Sequence, residues 1–150
     1  MGHTYSNVLV HVVFSTRERV PSITEAFRTR LYEYLAGVAR EEFGKAIKIG
    51  GTDNHLHALL SLNMQVAISK AICKWKSLSS GWVHKTIAGC GDFAWQEGYG
   101  AFSVSQSQAA KVMAYIEGQA EHHASRSFEE EFIDFLERHQ VSYDRAHIWQ

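Results

Sequence analysis

Proline, cysteine and unbalanced charge are all scarce in this chain of 150 residues: it has one proline, two cysteines, and 15 Lys+Arg against 16 Asp+Glu. Cys73 and Cys90 are too few for a disulfide scaffold and too far apart for a metal knuckle, so a reducing cytoplasm is the expected setting. No apolar run approaches the ~20 residues that span a bilayer. Residues 1–6 lack the basic segment and apolar core of a signal peptide, and a soluble intracellular protein is expected. There is no internal repeat, interdomain linker or glycine-rich phosphate loop, so a single domain over residues 1–150 is expected. A net charge of −1 excludes a strong, nonspecific polycation. The total hides an asymmetry: residues 1–115 carry 12 Lys+Arg and 8 Asp+Glu, or +4, and residues 116–150 carry 3 and 8, or −5.

What is present is ordinary globular material, 45% hydrophobic and 21% charged, enough to build a core. Residues 7–15 alternate so that Val8, Val10, Val12 and Phe14 share one face of a half-buried strand, with His11 on the other beside Leu9 and Val13. Ser22 and Glu25 read as a capping box opening a helix whose stripe is Phe27, Leu31, Leu35 and Val38, ended by Gly44. A short strand at 46–49, a Gly50-Gly51 turn and a strand at 55–62 follow. A second helix from about Val66 carries Ile68, Ile72, Trp75 and Trp82, with Lys70 and Lys74 on a separate flank. Short extended segments lie within 93–104. Ser105 or Ser107 can cap a third helix holding Val112, Tyr115, Ile116 and Gln119. Phe128, Phe132, Phe135 and Leu136 mark an acidic last helix. The order strand, helix, strand, strand, helix, strand is the ferredoxin-like pattern, an α+β fold with an antiparallel sheet packed by helices, here extended by two C-terminal helices.

Two constellations carry chemistry. His55 and His57 lie two apart on a strand, so their side chains share a face, while Leu56, Ala58, Leu60 and Leu62 form an apolar opposite face. Neutral imidazole is a good ligand for divalent metals, though two histidines alone do not complete a site. Tyr115 and Gln119 lie four apart, on one face of a helix, where a phenol and an amide oxygen can meet one target. The plain alternatives are an incidental His-x-His and a tyrosine buried in the helix stripe.

Taken together these residues resemble the single-tyrosine HUH transposases of the smallest bacterial insertion sequences. The likeness rests on His55-Leu56-His57 and on Tyr115-Ile116-Glu117-Gly118-Gln119. It extends to the loop Ser15-Thr16-Arg17-Glu18-Arg19, Trp95-Gln96, Gly98 to Ser105, His122-His123, Val141 to Asp144 and Trp149, in family order and spacing. Two positions depart from the family pattern: Gly118, where a polar residue is common, and Gly81, where a basic one is expected. The resemblance implies that Tyr115 attacks a phosphate of single-stranded DNA, leaving a 5′-phosphotyrosine and a free 3′-hydroxyl. Phosphodiester exchange of this kind needs no nucleotide triphosphate. It implies a divalent ion, Mg²⁺ or Mn²⁺, held by His55, His57 and Gln119, and a homodimer with composite sites in which the tyrosine helix serves the partner's histidines. The tyrosine is carried on the first of the two C-terminal helices.

Family members recognise hairpins at element ends. Arg17, Arg19, Lys70, Lys74, Lys76 and Lys85 are the candidates for phosphate contact, each alone also readable as a solvated surface charge. Trp75, Trp82 and Trp95 are candidates for base stacking, with the core as the favoured place for Trp75 and Trp82. His11 reads as a group behind the metal ligands, as a DNA contact, or as a packed histidine. The His122-His123 pair is expected at the helix end, where a cationic ring suits the dipole, rather than at a metal. Two other functions remain open at this stage: a hairpin-binding relative without strand transfer, and a metal-dependent hydrolase using water.

Overall fold

The structure is a computed structural model describing residues 2–150. The Val-rich segment Val8–Ser15 forms strand β1, and helix α1 (Glu25–Glu42) buries Phe27, Leu31, Leu35 and Val38 as its periodicity predicts. The expected capping box is absent. Thr24 is the N-cap, no side chain caps it, and the Ser22 hydroxyl donates to the Val20 carbonyl instead. The cause is Ile23, fully buried and with its N–H bonded to the Asp53 carbonyl at 2.8 Å, which holds the chain extended up to the helix. Strand β2 (Gly44–Gly51) is longer than expected at both ends, so Gly44 opens a strand and Gly50-Gly51 continues it. Strand β3 (His55–Leu62), helix α2 (Ile68–Thr86) and strand β4 (Gly100–Val104) complete the expected order of elements. The strands order as β2-β3-β1-β4, all neighbours antiparallel, which is the ferredoxin-like arrangement.

Beyond the sheet lie α3 (Ala109–Glu117), α4 (Gln119–His122) and α5 (Phe128–Arg138). The tyrosine helix, expected to run through Gln119, breaks at Gly118, a residue type that disfavours the helix interior. Backbone bonds flank the break, from Gly118 to the Ala114 carbonyl and from His122 and His123 to Gly118 and Gln119, and across it Gln119 Nε2 and the Tyr115 hydroxyl meet the same Glu131 oxygen. Tyr115 and Gln119 therefore still face one way. Neither Ser105 nor Ser107 caps α3: Gln108 is its N-cap, and the two hydroxyls lie 3.0 Å from each other. At α5, Ser127 does cap, accepting from the Glu130 N–H.

Both faces of the sheet are covered, which corrects the expectation of a half-buried β1. Val10, Val12, Phe14, Leu56, Ala58 and Leu60 pack under α1 and α2 with Leu31, Leu35, Ile72 and Trp75. On the other face Val13 and Phe102 pack against Phe128, Phe132 and Leu136 of α5, and Leu9 and Leu59 against Ala109 and Ile116 of α3. Phe128 and Phe132 each contribute about 1.5–3 kcal/mol by burial, which fastens α5 over the histidine strand. Gly50 lets α3 approach closely, because a Cβ there would collide with the Ile116 carbonyl. Among the described residues no helix is long and apolar enough to cross a membrane.

Candidate active site

Register places the chemistry. Val13 lies opposite His57, Ser15 opposite His55 and Leu59 opposite His11, so the three histidines share one face of β1 and β3. Helix α3, docked on β2 and β3, brings Tyr115 to that face, and the segment after the Gly118 break brings Gln119 and His123. Helix α5 adds Glu131, whose position three after Phe128 puts it in the buried stripe.

One carboxylate joins these groups. Glu131 Oε1 lies 2.8 Å from His57 Nε2, and Oε2 accepts from the Tyr115 hydroxyl and, at 3.3 Å, from Gln119 Nε2. His123 Nε2 is 3.2 Å from that same Oε2 and 3.1 Å from Gln119 Oε1. His55 Nε2 is 2.9 Å from Gln119 Oε1, and its Nδ1 sits 2.8 Å from Asn54 Oδ1 and 3.0 Å from Thr52 Oγ1. His57 Nδ1 lies 2.8 Å from His11 Nε2. A carboxylate only accepts, so the network assigns the His57 proton to Nε2, with His11 Nε2–H donating to Nδ1.

Burial decides the charges. It lowers His55 and His11 to about 3, helped in each case by the neighbouring His57, and it lowers His57 as well. These shifts favour neutral rings, and a metal on His57 Nε2 would require the proton there to move to Nδ1. Burial opposes ionisation of Glu131, but hydrogen bonds from His123, His57 and Tyr115 outweigh it and hold the carboxyl well below the usual carboxylate range. Burial, then the Glu131 carboxylate beside it, pushes the Tyr115 hydroxyl above the ordinary phenol range. In this arrangement the phenol keeps its proton.

The sequence-predicted residues divide. His55, His57, Tyr115 and Gln119 come together within one chain. His11 is buried, as a packed histidine would be, and its Nε2 lies 2.8 Å from His57 Nδ1. His123 joins the cluster, which corrects its assignment to the helix end alone, while His122 stacks on Tyr115 with ring centroids 4.5 Å apart. Glu131 was hidden among the acidic residues of α5; its signal was the Phe128, Phe132, Phe135 spacing that carries it inward. Trp95 does not offer a stacking face: it is buried edge-on against Phe14, its N–H donating to Ser79 Oγ. Trp75 is in the core and Trp82 stacks on Tyr34.

Of the basic candidates, Arg17, Lys70, Lys74 and Lys85 are exposed, Lys74 pairing with Glu42 at 3.3 Å. Arg19 lies 2.6 Å from Glu129 and over the Trp149 ring, so it ties the first loop to α5 and the C-terminus. Lys76 donates to the carbonyls of Gln96, Glu97 and Gly98 at 2.8, 3.2 and 2.6 Å, and burial lowers it to about 8. Lys76→Ala is expected to destabilise the fold by about 1.5–3 kcal/mol, since three carbonyls lose a charged donor. Urea unfolding measures this; a change confined to the salt dependence of DNA binding would instead make Lys76 a phosphate contact.

Fold and site together define a ferredoxin-like α+β protein whose His-hydrophobic-His strand faces a tyrosine on a following helix. A family profile described as "Transposase IS200 like" matches residues 4–119, and the chain belongs to that family. Two solved structures share the fold. One, from Deinococcus radiodurans R1 and described as a candidate transposase, is 20% identical with a TM-score of 0.63 over 79% of this chain and 96% of its own. The other, described as a REP-associated tyrosine transposase bound to a REP hairpin, is 15% identical with a TM-score of 0.56 over 77% of this chain and 68% of its own. No curated protein sequence matches the chain.

Proposed function

We propose that this transposase cleaves and rejoins single-stranded DNA at hairpin-bearing ends through a covalent link to Tyr115. The observation that carries the reading is that the Tyr115 hydroxyl and His57 Nε2 bond to the two oxygens of one carboxylate, which sets nucleophile and candidate ligand side by side. The solved relative described as bound to a REP hairpin supports a hairpin DNA partner.

The donor set fits a divalent metal, Mg²⁺ or Mn²⁺. His55 and His57 would hold it through Nε2 and Gln119 through Oε1, and Asn54, Thr52 and His11 orient the rings from behind. When bound, the ion supplies Lewis-acid polarisation of a nonbridging phosphate oxygen and neutralises developing charge. Tyr115 Oη forms the bond to phosphorus as the 3′-oxygen leaves. The phenol gives up its proton as the bond to phosphorus forms and the departing 3′-oxygen takes one up, while Glu131 Oε2, too weak a base to keep the proton, orients the hydroxyl through its hydrogen bond. Exchange of one phosphodiester for another needs no nucleotide triphosphate. We place the protein in the cytoplasm as a homodimer. The resemblance implies composite sites, in which the tyrosine helix of one subunit serves the histidines of the other; within the single chain, Tyr115 bonds to its own Glu131.

Labelled single-stranded hairpin DNA, incubated with the protein and run on a denaturing gel, tests the reading. The expected product is a protein-linked band that disappears in EDTA and returns with Mn²⁺. Cleaved ends without a linked band would support hydrolysis by water, and binding without cleavage a relative lacking strand transfer; either result overturns the proposal.

A further inference from the structure

We propose that His55, His57, His123 and Glu131 form a closed Zn²⁺ site that locks α5 over Tyr115 in a resting state. Each residue offers one donor atom, and the four atoms lie within 4.8 Å of one another. Glu131 Oε1 is 2.8 Å from His57 Nε2 and 3.8 Å from His55 Nε2, and Oε2 is 3.2 Å from His123 Nε2. A tetrahedron with zinc bonds of 2.0–2.1 Å has ligand separations of roughly 3.3–3.4 Å, a value inside the 2.8 to 4.8 Å over which these donors lie, so side-chain adjustment can bring them to bonding distance. Three imidazoles and one carboxylate suit zinc better than Mg²⁺, which prefers oxygen donors.

The surroundings are built for it. With the ion on Nε2, the His55 Nδ1–H donates to Asn54 Oδ1 and the His57 Nδ1–H to His11 Nε2, reversing the hydrogen bond His57 now receives. The ligands come from β3, from the end of α4 and from α5, so one ion would staple the C-terminal helices to the sheet. Four protein ligands leave zinc no open position, whereas a catalytic ion needs one for substrate. Zinc would also take Glu131 from Tyr115. That functional consequence rests on the proposed strand-transfer chemistry; the site itself does not.

The test uses the full chain stripped with EDTA, titrated with ZnCl₂ by calorimetry and with Co²⁺ by visible absorption. Expected are one ion per chain, an intense four-coordinate Co²⁺ spectrum and a raised unfolding midpoint. Glu131→Gln and His123→Ala should each weaken zinc binding tenfold or more and convert the Co²⁺ spectrum to the weak bands of higher coordination. Circular dichroism checks folding, and if Glu131→Gln does not fold, His123→Ala carries the test alone. Wild-type protein that binds no zinc, or variants that bind it as tightly as wild type, would overturn the site. DNA adducts in Mn²⁺ without zinc binding would sink the zinc site alone. Zinc binding as described, with no adduct under any metal, would leave the site standing and remove the strand-transfer reading.

Discussion

Tyr115→Phe is expected to reduce the covalent DNA adduct at least about a thousandfold, to the limit of detection, because it removes the attacking oxygen and keeps the ring. The ring's other contacts, the stack on His122 and the edge-on packing against Phe135, involve no hydroxyl and should persist. Glu131 loses one of several donors, so stability should change by about 1 kcal/mol. The two readouts separate a nucleophile from a supporting tyrosine: the latter would lose stability and keep the adduct. Mixing Tyr115→Phe with His55→Ala chains addresses assembly. Sites complete within each chain predict no recovery of adduct, since no chain has both groups; recovery would mean that the tyrosine of one subunit serves the histidines of the other.

The sheet was legible because its two faces need different sequences. The strand at 55–62 keeps Leu56, Ala58, Leu60 and Leu62 on one side and both histidines on the other, and the period of two places them without further information. Tyr115 and Gln119 followed from the period of the helix, even though Gly118 breaks it. Glu131 and His123 could not be placed the same way. Three acids stand in a row at 129–131, and only the docking of α5 across β1 and β4 decides that one is buried against His57 while its neighbours stay at the surface. A charge run reads as solvated until the stripe beside it is given a partner. For the same reason the basic candidates could not be ranked by sequence: Lys74 and Lys76 are two apart on α2, yet one pairs with Glu42 and the other with loop carbonyls.

His57→Ala is expected to lower the free energy of unfolding by about 3–5 kcal/mol, the largest stability effect in the site. The ring is fully buried, and its removal creates a cavity between β1, β3 and α5. It also leaves the Glu131 carboxylate without one of its closest donors and the His11 Nε2–H without an acceptor. Glu131→Gln keeps the volume and an acceptor oxygen while removing the charge, so it should cost less. Combined with His57→Ala in a double-mutant cycle, it should show a coupling of about 1.5–3 kcal/mol, the range for hydrogen bonds to charged groups. Chemical unfolding at neutral pH, without metal, measures all four forms. A coupling near zero would mean that Tyr115, Gln119 and His123 satisfy the carboxylate without His57, and the site would then be organised on Glu131 and the C-terminal helices rather than on the histidine strand.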